Sequence, residues 1–212
     1  MNPEFHNDVM DKGLEQISNS ANWGGGILRM VVTVGHPASQ TAASTLHPTG
    51  NRISGEIVMA GGDFTLADRT GGGREVTVAA KSDSASVNIP AIDTGTATSG
   101  SANTLADTGK TWTINAYTDK MVKITAGTGI GQIRRIASNT ATVLTTTTNW
   151  TINPDATSQY EILEDLHVAI YDGGGTPRLL YVGDISSDQP IVSGNPINIA
   201  SFKFGFPDPV SV

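Results

Sequence analysis

Short runs of alternating apolar and polar residues dominate the chain, and this pattern predicts β-strands with one buried face. In Arg74–Ala80, Val76 and Val78 fall on one face while Glu75 and Thr77 take the other. Gly-, Asn- and Asp-rich turns separate such runs. Outside the middle of the chain the predicted strands also include Ile27–Val34, Arg52–Ala60, Phe64–Ala67, Ser84–Ile89, Leu166–Tyr171, Leu179–Ile185 and Ile197–Phe204. The pattern predicts an all-β fold, an antiparallel β-sandwich of Greek-key or jelly-roll character.

The N-terminal segment has helical periodicity instead. Residues 3–18 are predicted to form a short amphipathic helix, with Pro3 in its first turn. Two roles for its apolar stripe stay open: it packs on the sheet of its own domain, or it anchors the protein to a neighbouring subunit. The stripe consists of Phe5, Val9, Met10, Leu14 and Ile17.

The middle of the chain has the character of a small β module inserted into another domain. Residues 93–103, which are small and polar, are predicted to be a linker into it. The predicted domains are residues 1–95 plus 166–212, forming the β-sandwich with its N-terminal helix, and residues 96–165, forming the inserted module. The module's predicted strands are Lys110–Ile114, Met121–Thr125, Gln132–Ala137, Thr142–Thr147 and Tyr160–Leu163.

Composition narrows the function classes. The chain has 212 residues, a net charge of −7, 16% charged residues and no cysteine. An acidic chain is repelled by phosphate backbones, so no nucleic-acid partner is expected. The longest apolar runs, such as Ile27–Val34, fall well short of the roughly 20 residues of a membrane span, so no membrane partner is expected. Without cysteine the chain can form neither disulfides nor thiolate metal sites.

No motif in the sequence predicts catalysis, a metal site or a cofactor. The four histidines are dispersed, and His167 is interpreted as structural. The Gly127–Gly131 run lacks the Lys-Ser/Thr of a phosphate-binding loop and is interpreted as a tight turn. Five aspartates, most of them beside Gly or Ser, are interpreted chiefly as turn residues; they are Asp63, Asp68, Asp172, Asp184 and Asp188. The chain is therefore predicted not to be an enzyme.

Aromatic residues are few and concentrate in the module. Trp112, Tyr117 and Trp150 have two open interpretations, as does Tyr160. They form the small core of the module, or one or two of them are exposed and contact a glycan or a protein partner, since Trp and Tyr carry much interface energy.

Several segments resemble small virion proteins of tailed bacteriophages. The resemblance lies in AGGDFTLAD at residues 60–68, GREVTVAAK at 73–81, LHVAIYD at 166–172, LYV at 180–182 and SGNPINI at 193–199. In such proteins a GTAT segment leads directly into the HVAI-D strand, whereas here the inserted module separates Gly95–Thr98 from His167–Asp172. The module itself resembles a unit of phage tail and head proteins, through residues 111–145 and 153–162.

The resemblance implies a virion structural protein synthesised in the host cytoplasm. The leading hypothesis is a capsid decoration, or cement, protein on the outer surface of the phage head. Its partners would be the major capsid protein and copies of itself, as a homo-oligomer such as a trimer, and the N-terminal stripe would anchor it. The alternatives are a tail or head fibre or receptor-binding component that contacts host surface glycan, a head–tail connector or tail subunit, and, in another class, a glycan-degrading enzyme.

Overall fold

The computed structural model describes residues 4–5, 28–35, 52–68, 70, 74–172, 179–185 and 188–206. Within these residues the protein is all-β, every strand pair is antiparallel, and the only helical element is a 3-10 turn at Gly61–Asp63. The strands are β1 Glu4–Phe5, β2 Leu28–Val34, β3 Ile57–Met59, β4 Phe64–Asp68, β5 Arg74–Val78, β6 Lys81–Ser84, β7 Asp93–Thr96, β8 Ser99–Gly100, β9 Thr104–Ala106, β10 Met121–Ala126, β11 Ile133–Asn139, β12 Val143–Thr146, β13 Gln159–Leu163, β14 Leu166–Asp172, β15 Leu179–Asp184, β16 Pro196–Ile199 and β17 Phe202–Phe206.

The strands belong to two compact units. The outer unit takes its described residues from Met1–Asn88, Leu166–Ser186 and Ile191–Val212. The inserted unit comprises Ile89–Asp165 and Ser187–Pro190. Strands on either side of the insertion pair with one another: β14 with β2, β16 with β6 and β17 with β5. The sheets of the outer unit therefore contain no strand from the inserted stretch.

The central strand of the outer unit is β14, in a five-stranded sheet of order β1-β15-β14-β2-β3. All seven of its residues are buried, so both of its faces are covered. The sequence-based assignment of alternate residues to opposite faces stands, but neither face meets solvent. The neighbouring β2 is also largely buried, with Met30, Val31 and Val32 inaccessible.

The other strands of the outer unit form a long two-stranded ribbon with one added strand. Chain segment β5–β6 runs against β16–β17, and β4 joins β5 on its other side. Val76 and Val78 are fully buried while Glu75 and Thr77 are half-buried, which confirms the predicted alternation. The Tyr181 ring of β15 stacks on the Phe204 ring of β17, with centroids 4.6 Å apart, and this contact links the two sheets.

The inserted unit is a small closed barrel. Its sheet has the order β7-β13-β10-β11-β12-β9-β8, and the two end strands, β7 and β8, are separated only by Ala97 and Thr98. The Ala97 N–H donates to the Ser158 carbonyl beside β13, and the Thr98 N–H donates to the Ala106 carbonyl of β9. One continuous stretch of chain thus bonds to both margins of the sheet, so the sheet closes on itself as a barrel.

The barrel interior holds a single apolar cluster. Leu105, Val122, Ile124, Ile136 and Leu144 are completely inaccessible. A Trp side chain joins this cluster from each of two segments that are not strands. The cluster comprises Ala97, Leu105, Trp112, Val122, Ile124, Ile136, Leu144, Trp150, Tyr160 and Ile162.

Two of the sequence-based predictions are wrong within the barrel. Residues 93–103, predicted to be a linker, form β7 and β8. A side chain does not fit at Gly95, because a Cβ there would lie 2.6 Å from the Tyr160 hydroxyl. Glycine is present here because Tyr160 packs closely against the strand, and not because the segment is a flexible linker. Lys110–Ile114, predicted to be a strand, has no ladder partner, since the barrel is already closed.

Three predictions fail or shift in the outer unit. The predicted helix over residues 3–18 is wrong at Glu4 and Phe5, which pair with Val182 and Tyr181 at the edge of the five-stranded sheet. Main-chain bonding to that edge overrides a weak local helical preference, and the rest of the segment lies outside the described residues. The strand predicted at Ser84–Ile89 lies earlier in the chain, at Lys81–Ser84 (β6), where it pairs with β16. The single strand predicted at Ile197–Phe204 is two strands, β16 and β17, which pair with β6 and β5.

Replacing residues 90–164 with a short Gly-Ser linker should leave the outer unit folded, because its strand pairs do not involve those residues. The measurement is thermal unfolding of the deletion variant by circular dichroism, with a single cooperative transition expected. An aggregated product without a transition would contradict independent folding of the outer unit and, with it, the predicted two-domain organisation.

Candidate interaction surface

The near end of the barrel, where β7 begins and β13 ends, is closed by a charged cluster. Asp93 accepts a hydrogen bond from the Trp112 indole N–H at 2.7 Å and an ion-paired bond from Lys110 Nζ at 2.7 Å. Lys110 also donates to the Thr94 carbonyl. Partial burial raises the pKa of Asp93, but the bonds from Lys110 and Trp112 outweigh it and lower the pKa. These contacts hold Trp112 across the barrel opening.

A second buried pair lies beside that cluster. The Tyr160 hydroxyl donates to Asp107 Oδ2 at 2.7 Å, and Asp107 also accepts from the Gly109 N–H. Burial, then the bond to Asp107, raises the pKa of Tyr160 well above its ordinary range. The ring of Trp112 meets both Tyr117 and Tyr160 edge to face, at centroid distances of 5.8 and 6.3 Å. The aromatic residues of the module therefore belong to one packed group.

This packing corrects one of the two interpretations of the module's aromatic residues. Trp112 and Trp150 are only 8% and 5% exposed, and Tyr117 packs against their cluster, half-buried. Both tryptophans therefore form core contacts, and the interpretation of them as exposed contact residues is wrong. Closing each opening of a narrow barrel requires a large apolar side chain, and Trp supplies the most area.

The far end of the barrel, opposite the near end, is formed by two loop segments, residues 127–132 and 147–158, which we call the far loops. Gln132 ties them together. Its side-chain amide donates to the carbonyls of Gly129 and Ile152, and its oxygen accepts from the N–H groups of Thr151 and Ile152. The Gln132 side chain thereby fixes the distance between the two segments.

A hydroxyl–carboxylate network adds a second tie between the far loops. Asp155 accepts from the hydroxyls of Thr128 and Thr157, at 2.8 and 2.6 Å. Bonds from Thr157 and Thr128 lower the pKa of Asp155. Ser158 completes the network by donating to the Thr128 carbonyl at 2.7 Å.

Backbone geometry makes this arrangement specific to glycine. Gly127 and Gly129 have φ angles of 75° and 81°, in the left-handed region. A Cβ at Gly127 would overlap the Thr157 carbonyl, and one at Gly129 would lie 2.5 Å from the Gln132 amide. The Gly127–Gly131 run is a turn that leads into strand β11, so the interpretation as a tight turn is confirmed.

The far loops display apolar side chains with little charge around them. Ile130 is 66% exposed and Ile152 is 55% exposed. Asp155 is the single charged residue within the two segments. Arg134, from β11, lies against them with its guanidinium 5.6 Å from the centre of the Trp150 ring and bonded to Thr151. Ion pairs cluster instead toward the near end, where Lys120 meets Glu164 and Arg135 meets Asp165.

Sequence reasoning overlooked these isoleucines because it counted apolar residues only within strands. The available signal was an isolated Ile inside each turn cluster, in Gly129-Ile130-Gly131 and Thr151-Ile152-Asn153. A turn seldom buries its side chains, so an apolar residue there is a candidate for exposure. Ile114, in the turn before β10, is likewise 70% exposed.

The remaining sequence candidates lie apart from these loops. His167 is 1% exposed on β14, in register with Thr33, which agrees with its structural interpretation. Asp63 accepts from the Ala60 N–H and pairs with Lys81; burial raises its pKa, but those bonds outweigh burial and lower it. Of the N-terminal stripe, only the backbone of Phe5 is described, whereas Val9, Met10, Leu14 and Ile17 lie outside the described residues.

No helix within the described part of the chain has the length and apolar character of a membrane span. Comparisons of the chain with protein-family models, with characterised proteins and with solved structures find no match.

The destabilisation caused by Gly→Ala substitutions in the far loops should depend on the space available to the added Cβ. Gly127→Ala should destabilise the protein by more than the roughly 1–2 kcal/mol that a left-handed residue costs, because its Cβ also meets the Thr157 carbonyl. Gly131→Ala is the matched control: its φ is 85°, but nothing lies within 4 Å of the added Cβ. Urea unfolding measures both changes, and equal losses would contradict the tight packing of the two loops.

The four tyrosines should resist ionisation in the folded protein, because burial raises the pKa of Tyr117, Tyr160, Tyr171 and Tyr181, the last to about 12. Because the folded-state pKa values are raised, the folded protein is stabilised while its tyrosines remain protonated. This contribution to stability is complete below the unfolded pKa of about 10 and is lost as the pH rises through the folded-state pKa values. Phenolate absorbance at 295 nm should rise near pH 10 in denaturant and at higher pH in the folded state. Coincident titrations would show that the phenols are accessible.

Proposed function

We propose that the chain is a virion structural protein of a tailed bacteriophage, and most specifically a capsid decoration protein on the outside of the head. The observation that carries the proposal is the strand pairing across the insertion, which makes the outer unit a continuous framework that holds a separate closed barrel. Segments that resemble phage virion proteins supply all or part of β4, β5, β14, β15 and β16 of that framework. A framework that presents an added module suits a building block of a shell.

The finer architecture belongs to the same proposal. The five-stranded sheet and the β17-β5-β4 sheet meet through Tyr181 and Phe204. Two antiparallel sheets in contact through buried side chains suit a β-sandwich of Greek-key or jelly-roll type. Such a sandwich offers broad surfaces for a protein shell.

The physical basis of decoration is repetition. Each copy needs an interface of the order of 1,000 Å² with the major capsid protein or with other copies, and a symmetric shell multiplies that contact without new chemistry. The net charge of −7 favours solubility of the free protein and of decorated particles. The rest of the N-terminal stripe, Val9, Met10, Leu14 and Ile17, is proposed as an added anchor to the shell or to a neighbouring copy.

Location on the virion tests the proposal. Purified virions labelled with a gold-conjugated antibody against the inserted unit should carry gold uniformly over the head. Quantitative mass spectrometry of the same particles should find the protein in numbers comparable with the major capsid protein, because decoration follows the symmetry of the shell.

The other outcomes are equally informative. Gold confined to the tail or to one vertex would contradict decoration and indicate a fibre, connector or tail subunit. Unlabelled virions, with the protein found only in lysate, would contradict a structural role in the particle.

A further inference from the structure

The five-stranded sheet of the outer unit ends, beside β15, in the two-residue strand β1. Glu4 pairs with Val182 and Phe5 pairs with Tyr181 in antiparallel register. Within the described residues no other strand lies on that side of β15. The short strand β1 therefore covers an edge that β15 would present without it.

Strand β15 has the properties of an edge that pairs readily with another chain. Five of its six residues are buried, and its one charged residue is Asp184, at its end. After a register shift at Leu180, the stretch Tyr181–Asp184 pairs regularly with β14. A regular apolar strand with unpaired N–H and C=O groups on one side is a template for strand addition. Loss of β1 would thus create an association surface.

The sequence at β1 has three features that natural proteins use to protect sheet edges. The strand is only two residues long, and one of the two, Glu4, is charged. Pro3, which precedes it in the sequence, has no N–H group to donate. Very short strands, charged side chains and proline all discourage the addition of a further strand. β1 therefore ends the sheet at a margin where β15 alone would extend it.

We propose that β1 is a removable cap, and that its release lets the edge of β15 pair with β15 of a second copy. β1 makes two residue pairs with β15, whereas β14 makes five, so β1 can leave while β15 stays in the sheet. Antiparallel two-fold pairing over Tyr181–Asp184 places Asp184 opposite Tyr181 and Val182 opposite Gly183. The single charge of the strand then does not face itself. The cap is independent of where the protein lies on a virion.

Proline substitution in the full-length protein tests the cap, because proline cannot donate a main-chain hydrogen bond. The double variant Glu4→Pro with Phe5→Pro removes both N–H groups of β1. Glu4→Gln with Phe5→Leu is the matched control, since it changes the same two side chains and keeps both N–H groups. By sedimentation velocity, the self-dissociation constant of the proline variant should be at least about tenfold lower than that of wild type. The control should match wild type.

Hydrogen–deuterium exchange identifies the surface through which the proline variant associates. At low protein concentration, amides within residues 179–184 should exchange faster in this variant than in wild type, because β1 no longer covers the edge. At high concentration their exchange should slow again as copies pair through β15. In the control variant, exchange of these amides should not depend on protein concentration.

A folded proline variant that associates no more tightly than wild type would overturn the proposal. So would an associating variant in which exchange of residues 179–184 is independent of concentration, because another surface would then form the contact. A truncated chain that lacks residues 1–5 provides a second route to the uncapped edge, with the same expected results. If both variants lose their cooperative unfolding transition, β1 is a required part of the fold and not a removable cap, and the proposal is wrong.

Discussion

Closure of the inserted unit depends on one pair of adjacent hydrogen bonds. Ala97 donates toward one margin of the sheet and Thr98 toward the other, so a single bend in the chain joins β7 and β8 into one strand shared by both margins. Without that bend, β7 and β8 would be separate edge strands of an open sheet, and such edges invite association with other chains. At the bend, Ala97 is 2% exposed, whereas Thr98 is exposed.

Because the barrel is closed, residues outside its strands cover its two ends. A small barrel leaves an opening at each end, and here Trp112 and Trp150 cover the openings from segments that cannot join the ladder. The near end secures its tryptophan through Asp93 and Lys110, whereas Trp150 lies under the Arg134 guanidinium. The difference leaves one end rich in ion pairs and the other almost without charge.

The outer unit solves a different problem, since its strands must find partners across an insertion of more than seventy residues. The register of β14 with β2, from Leu166 opposite Val34 to Asp172 opposite Leu28, provides the longest uninterrupted pairing in the described part of the chain. Both faces of β14 are buried, so a one-residue slip would misplace every core side chain. A framework fixed in this way tolerates a module inserted between two of its strands, and the proposed structural role in a virion uses that tolerance.

The sequence by itself determined the all-β class and most strand positions, because alternation and turn residues are local signals: β2, β4, β5, β10, β12, β13, β14 and β15 all lie where the pattern predicts strands. It also indicated that Gly127–Gly131 is a turn. Tertiary structure alone decided the rest. Small residues at 93–103 have the composition of a linker, and only their pairing with β13 and β9 makes them strands. Lys110–Ile114 alternates like a strand but lacks a free edge to join. Glu4 and Phe5 fall in a segment whose sequence has helical periodicity, yet main-chain bonding to β15 decides their conformation. Burial of Trp112 and exposure of Ile130 likewise depend on which segments cross the barrel openings, and that is set by contacts between residues far apart in the chain.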